Sequence, residues 1–130
     1  MLEIRNVCAG YGDATILRDV SLQVPTGEVS TVLGSNGVGK TTMLKAIMGI
    51  LPAMSGEILW RGTPLHTNPI WSRSQNGIGY VPQGREIFPF LSVHENLVLG
   101  LEAKGVNKPR IRQAADRIYE RFPVLNRAFR

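Results

Sequence analysis

Short apolar runs separated by turn residues occupy the first part of the chain. Apolar and polar positions alternate over Leu2–Val7 and again within Ile16–Val24, which is typical of strands with one solvent-facing side. A turn at 9–13 separates these two runs. The apolar run at 28–33 follows a turn that contains Pro25, and it leads directly into a cluster of glycines. The pattern therefore predicts three strands before a glycine-rich loop.

After the loop, the periodicity changes to that of a helix. Apolar residues recur at spacings of three and four across 40–50, and Pro52 ends the predicted helix. We expect its buried stripe to comprise Leu44, Ile47, Met48 and Leu51. Beyond this helix, the pattern predicts strands over 57–61 and 77–81 and allows a short helix over 69–76.

The last third of the chain is predicted to be helical. Ser92 and Glu95 have the spacing of a capping box, which predicts a helix from there to about Lys104. Asn107 and a proline two residues later begin another predicted helix. Pro123 ends it, and no element is predicted after that proline.

Composition limits the classes of protein that fit this pattern. With 130 residues, 43% hydrophobic and 19% charged, the chain fits one compact domain or part of a larger one. The net charge of +5 is spread among interleaved acids, so we favour a solvated helix face over a nucleic-acid patch. Cys8 is the single cysteine and cannot form an internal disulfide. The most apolar stretch, 43–51, is too short to span a bilayer, so any membrane connection is expected to run through a partner.

One short motif carries specific chemistry. The pattern G-x-x-x-x-G-K-[ST], the Walker A phosphate loop, is satisfied in full by Gly34, Ser35, Asn36, Gly37, Val38, Gly39, Lys40 and Thr41. The glycines permit backbone angles that let successive NH groups form a concave nest around phosphates. The helix that follows adds its free N-terminal NH groups and the positive end of its dipole.

Three side chains complete the predicted site. Lys40 would supply a mobile charge to the β- and γ-phosphates, and the Thr41 hydroxyl would ligate magnesium. Thr42 would donate near the α-phosphate. The alternative is a chance glycine-rich turn before a helix. We favour binding of a nucleoside triphosphate with magnesium, because an apolar run precedes the loop and an amphipathic helix follows it.

The surrounding sequence resembles the ATP-binding subunit of ABC transporters, from end to end. Two predicted strands precede the one that leads into the loop, and Tyr11 lies in the turn between those two strands. The tracts G-I-G-Y-V-P-Q-G-R-E-I-F-P at 77–89 and L-S-V-H-E-N-L at 91–97 follow the loop. They resemble the branched-chain amino acid and urea uptake branch, and most closely its urea-type subunit. Other subunits of that branch often have glutamate where this chain has Gln83.

The resemblance implies roles for two further residues, with ATP and Mg²⁺ as cofactors. Tyr11 matches the aromatic residue that stacks on adenine, although such a tyrosine is ordinarily just a turn residue. Gln83 matches the glutamine loop that reaches magnesium and the attacking water, and it would act with Lys40 in catalysis. Outside the family, Gln83 would be a capping or solvent-facing residue. His66 and His94 are expected to be surface histidines.

The resemblance also implies an α/β fold, a P-loop NTPase (RecA-like) core. An N-terminal antiparallel β-subdomain would share residues 1–87 with the core, and residues 88–130 would begin an α-helical subdomain. The Leu-Ser-Gly-Gly-Gln signature, the Walker B strand that ends in Asp-Glu and the switch histidine of the family do not occur in these 130 residues. The expectation is an incomplete domain, the N-terminal portion of one about twice as long, that binds ATP but hydrolyses it negligibly alone.

The complete protein implied by the resemblance couples ATP binding and hydrolysis to import of a small polar solute, urea first and branched-chain amino acids second. It would work at the cytoplasmic face of the membrane with transmembrane permease subunits, a second identical or different ATP-binding subunit and, indirectly, an external solute-binding protein. No nucleic acid partner is expected. The alternatives are a non-transport ABC ATPase that acts on DNA or the ribosome, and a nucleotide-binding remnant without turnover.

Overall fold

The computed structural model describes residues 1–66, 69–84 and 86–127. The chain divides into two compact units, Met1–Val81 and Pro82–Arg130. Within these described residues, the first unit has a four-stranded sheet and two helices, and the second has three helices. The expected division at residue 87 into subdomains stays a prediction.

The sheet of the first unit is antiparallel throughout, with the strand order β2-β1-β3-β4. The strands are β1 (Leu2–Tyr11), β2 (Ala14–Val24), β3 (Ala53–Trp60) and β4 (Thr63–Pro64). The central strand β1 extends through residues 9–11, which the sequence pattern assigned to a turn. The short strand β4 pairs with the end of β3.

Irregularities in strand pairing account for three residues with positive φ. Asn6 (φ 49°) and Asp19 (φ 53°) lie at register shifts of β1 and β2, and the Asn6 amide donates to the Asp19 carboxylate at 2.8 Å. Gly56 in β3 has φ 82°, and a Cβ there would collide with the Asn6 carbonyl oxygen. Only glycine fits at that close approach.

Helix α1 (Lys40–Met48) packs against this sheet through a stripe that differs from the predicted one. Thr42, Met43, Ala46 and Ile47 are its buried residues, whereas Leu44 is exposed. The observed stripe begins at Thr42, two residues before the predicted start at Leu44, because the i, i+3, i+4 rule does not fix which face of the helix is buried. The core of the unit comprises Ile4, Val7, Ala9, Leu17, Met43, Ala46, Ile47, Ile58 and Leu65.

Two predicted strands are not strands in the structure. Residues 28–33 and 78–81 form no strand, Gly77 lies in a turn, and Val29, Leu33 and Val81 are exposed. A strand requires hydrogen bonds from a neighbouring strand, and an apolar run cannot show whether one is present. The ambiguous segment before 77–81 forms a short helix, α2 (Ile70–Gln75).

The part of the second unit that the structure describes has three helices: α3 (Val93–Glu102), α4 (Lys108–Arg121) and α5 (Pro123–Arg127). The capping box at Ser92 is confirmed, with both reciprocal hydrogen bonds present. Pro123 ends one helix and begins another, so the prediction of no terminal element was wrong. His94 is not simply a surface residue, because its Nδ1 lies 3.0 Å from the Tyr119 hydroxyl across α3 and α4. No helix in the described ranges is both long and apolar enough to traverse a membrane.

Candidate nucleotide site

The glycine-rich loop runs from the unpaired segment 28–33 to the first turn of α1. Gly37 and Gly39 have φ values of 87° and 102°, in the left-handed region that favours glycine. Gly39 is also buried, and a Cβ at this position would lie 2.8 Å from Leu17 Cδ2. Glycine at 39 is therefore required both by backbone conformation and by contact with β2.

The N-terminus of α1 is open. Its N-cap is Gly39, so no side chain accepts a hydrogen bond from the first NH groups, and the first turn contains no acidic residue. Uncapped NH groups and the positive end of the helix dipole favour an anion at this position. The exposed residues Ser35, Asn36 and Val38 precede it in the loop.

Lys40 folds back over the loop. Its Nζ donates to the carbonyl oxygens of Gly34 at 2.8 Å and Ser35 at 2.7 Å. An ammonium group has three donors, so one remains for another acceptor. This arrangement places a positive charge beside the backbone of the glycine-rich loop.

The two threonines that follow have different environments. Thr41 is exposed, so its hydroxyl is open to a ligand, whereas Thr42 is 6% exposed and packs on the buried face of α1. A hydroxyl oxygen is a ligand of the kind that magnesium accepts. In the described ranges, His, Cys, Asp and Glu side chains form no cluster of three or more that could hold a metal ion.

Tyr11 lies at the end of β1, in the same unit as the loop. Its ring is about half exposed, and Lys45 of α1 places Nζ 5.9 Å from the ring centroid, near the outer limit of a cation–π contact. The ring thus lies beside the helix that begins at the loop, with one part of its surface open.

Gln83 belongs to the second unit. It is exposed and follows Pro82 in a bend. The nearby aromatic residues Phe88 and Phe90 are also exposed. The segment after Gln83 is organised by Asn96, whose amide group accepts from the Phe88 NH and donates to the carbonyl oxygens of Phe88, Leu91 and Ser92.

Sequence reasoning missed two organising side chains, Asn96 and Arg73. Asn96 lies within the tract that carries the family resemblance, but no pattern indicates its loop-binding role. Arg73 is buried against the carboxyl end of α1. Arg73 lies in a segment whose pattern is ambiguous, and the sequence does not show whether such an arginine is buried or exposed.

The loop, the uncapped helix and the folded-back lysine are the local features of the P-loop NTPase class of α/β proteins. The family model described as ABC transporter matches residues 17–128, and the chain belongs to that family. Its fold is the ABC ATPase fold, a P-loop NTPase with an antiparallel sheet, here spanning about half of the full-length domain. The predicted fold class is confirmed.

Curated relatives include ATP-binding proteins of different transport systems. The chain is 36% identical over 125 residues to the lipopolysaccharide export system ATP-binding protein LptB of Haemophilus influenzae, covering 95% of this chain and 52% of that protein. It is 36% identical over 129 residues to the high-affinity branched-chain amino acid transport ATP-binding protein BraG of Pseudomonas aeruginosa, covering 99% and 54%. The chain therefore spans about half the length of these relatives.

Solved structures agree with the family assignment. An ATP-binding subunit of an ABC transporter superposes with a TM-score of 0.85 at 29% identity, covering 98% of this chain and 52% of that one. A dimeric ATP-binding cassette in a post-hydrolysis state, bound to ADP and phosphate, superposes with a TM-score of 0.76 at 25% identity, covering 89% and 55%. These comparisons support the family and leave the transported solute open.

Proposed function

We propose that this chain binds ATP with magnesium through residues 34–42. The observation that carries the proposal is the uncapped N-terminus of α1, which begins beside left-handed glycines and the Lys40 ammonium. Lys40 would exchange its contacts with the Gly34 and Ser35 carbonyls for phosphate oxygens. The exposed Thr41 hydroxyl would ligate the metal, and Tyr11 would stack on adenine.

Calorimetric titration of MgATP into the protein and into Lys40→Ala tests this proposal. Hydrogen bonds to charged groups are worth about 1.5–3 kcal/mol, so Lys40→Ala should weaken binding by about 10- to 100-fold. Lys104→Ala removes an equal charge from an exposed position in the other unit and should bind as the unaltered chain does. Equal affinity of the unaltered chain and Lys40→Ala would exclude the loop as the site.

At the level of the whole protein, we propose a subunit that couples ATP binding and hydrolysis to solute transport, at the cytoplasmic face of a membrane with permease subunits and a second ATP-binding subunit. Support comes from relatives whose names place them in transport systems. Gln83 would link the nucleotide site to the permease and contribute to hydrolysis. The 130 residues alone would bind ATP with negligible turnover, because the three further family motifs do not occur in them.

For the solute, we propose import of branched-chain amino acids or urea, with an external solute-binding protein as an indirect partner. BraG and LivF, both named for branched-chain amino acid transport, are among the relatives, and this favours the amino acids over the urea first suggested by the tract at 77–97. Uptake of radiolabelled leucine and urea by cells that lack the intact gene would distinguish them. Loss of neither uptake would contradict both solutes and favour an exporter or a non-transport ATPase.

A further inference from the structure

Arg73 is an arginine buried against the carboxyl end of α1. Its side chain is on α2, and the residue is only 6% exposed, which is rare for arginine. One guanidinium nitrogen donates to the carbonyl oxygens of Ala46, at 3.2 Å, and Ile47. The other donates to the Leu65 carbonyl oxygen at 3.3 Å. Both α1 carbonyls lie in the last turn of that helix, and the Ala46 oxygen also accepts from the backbone NH of the C-cap residue Gly49.

Besides these hydrogen bonds, the electrostatic environment at the end of α1 bears on the charged guanidinium of Arg73. In the part of the chain that the structure describes, no Asp or Glu forms an ion pair with Arg73. Burial without such a partner lowers the pKa of Arg73 from its ordinary value. The negative end of the α1 dipole is the compensating feature, because a cation at a helix C-terminus is favourable.

Gly49 fits against the flat face of this guanidinium. It is the C-cap of α1, with φ 72°, and its NH donates to the Ala46 carbonyl oxygen at 3.0 Å. A Cβ on Gly49 would lie 2.5 Å from the central guanidinium carbon, Arg73 Cζ. An alanine there would therefore have to push the arginine away from the helix end. A cavity of about 430 Å³, lined by both residues, provides room for that displacement.

We propose that Arg73 is a positioning residue for the nucleotide site, because it fixes the carboxyl end of the helix whose amino end carries Lys40 and Thr41. The inference rests on the proposed function of the loop. α1 has nine residues and is about 14 Å long at 1.5 Å per residue. So short a helix moves as one body, and a shift at its last turn displaces the NH groups at its first turn.

Three substitutions test this role by binding of MgATP and of Mg-tripolyphosphate. Arg73→Met removes the donors, and Gly49→Ala keeps the arginine but displaces it. Both should weaken binding of both ligands by about fivefold, at the lower end of the usual coupling between sites. Arg73→Lys keeps the charge and should restore part of the affinity lost in Arg73→Met.

Leu59→Ala is the control for lost stability. Leu59 is buried on β3 in the same unit, and it lies outside the cluster that packs against α1. Titrations are run at a temperature at which thermal melting shows every variant to be folded. Weaker binding in Arg73→Met and Gly49→Ala than in Leu59→Ala supports positioning. Binding no weaker than in Leu59→Ala overturns it.

A second readout needs no ligand. In ¹H–¹⁵N spectra, Arg73→Lys and Gly49→Ala should shift the amide signals of Gly37 and Gly39, whereas Leu59→Ala should leave them in place. Unchanged loop signals overturn the proposal even if a variant binds weakly. If the unaltered chain fails to bind MgATP, the proposed function fails and this spectral result still decides the role of Arg73.

Discussion

At the scale of residues, some side chains of the candidate site are predictable from the sequence and others are not. Lys40 and Thr41 are predictable because the motif ties a lysine and a hydroxyl to a glycine-rich loop, and the structure brings them to one helix end. Arg73 is not predictable, because its role depends on Gly49 and Leu65, which are distant in sequence. Which carbonyl an arginine reaches is a property of packing, not of spacing.

A comparison of Gly39→Ala with Gly27→Ala separates two reasons for glycine at position 39, which are its backbone conformation and its contact with Leu17. Alanine at φ 102° is strained by roughly 1–2 kcal/mol, and its Cβ would also meet Leu17 at 2.8 Å. Gly27→Ala, at φ 83° with nothing within 4 Å, carries only the backbone strain. We expect Gly39→Ala to lower the unfolding free energy more than Gly27→Ala does, as measured by urea denaturation. Equal losses of unfolding free energy would show that the Leu17 side chain on β2 makes room for the added Cβ without an energetic cost.

Tyr11→Ala tests the proposed adenine contact separately from the phosphates. Stacking of a base on an aromatic ring is worth about 1–3 kcal/mol, so ATP affinity should fall by about 5- to 100-fold. Affinity for tripolyphosphate, which has no base, should stay unchanged. Tyr11→Phe keeps the ring and should bind ATP almost as the unaltered chain does. A similar loss for both ligands in Tyr11→Ala would mean that the ring supports the loop and does not bind the base.

At the scale of elements, residues that cap a helix predicted its start correctly, whereas apolar runs did not predict which segments pair as strands. Helices α3 and α4 begin where Ser92 and Asn107 predict, because each N-cap satisfies backbone NH groups within its own turn. The apolar runs at 28–33 and 77–81 predicted strands, yet neither is paired in the structure. Strand formation depends on a neighbour, and alternation along one run does not identify it.

The capping box of α3 should make that helix sensitive to acid. The Ser92 hydroxyl and NH each donate to the Glu95 carboxylate at 2.7 Å, and these bonds lower the Glu95 pKa below its ordinary 4.5. A lowered folded-state pKa stabilises the helix above pH 4.5, and that stabilisation is lost as the pH falls through the lowered pKa. Protection factors of the α3 amides, which compare observed with intrinsic exchange at the same pH, should therefore fall below pH 4.5 in the unaltered chain, and Glu95→Gln should lose this dependence. The same acid response in Glu95→Gln would assign it to another group.

At the scale of the whole molecule, the family was predictable and the transport system was not. The motifs at 34–41 and 77–97 identify an ABC ATP-binding chain, and the family match over 17–128 agrees. Relatives named for lipopolysaccharide export and for amino acid transport are equally similar, at 36% identity. The residues that would distinguish solutes need not lie in a nucleotide-binding chain, so the urea-type assignment stays a prediction.

ATP hydrolysis requires more groups than the phosphate loop provides. Hydrolysis requires an oriented water and charge stabilisation around the γ-phosphate. Of the groups that the resemblance implies for this, the 130 residues contain the loop, Lys40, Thr41 and Gln83, whose roles are proposals. We expect phosphate release from MgATP to equal that of Lys40→Ala, which controls for contaminating ATPases. Release that is rapid in the unaltered chain and absent in Lys40→Ala would contradict this expectation.

The most direct test of the account is to locate the bound nucleotide by ¹H–¹⁵N spectra during titration with MgATP. We predict that the largest shifts fall on the amides of residues 34–42, which form the loop and the first turn of α1, with a further change at Tyr11. Shifts confined to residues outside this set, or no shifts at saturating MgATP, would contradict the assignment of the loop as the nucleotide site.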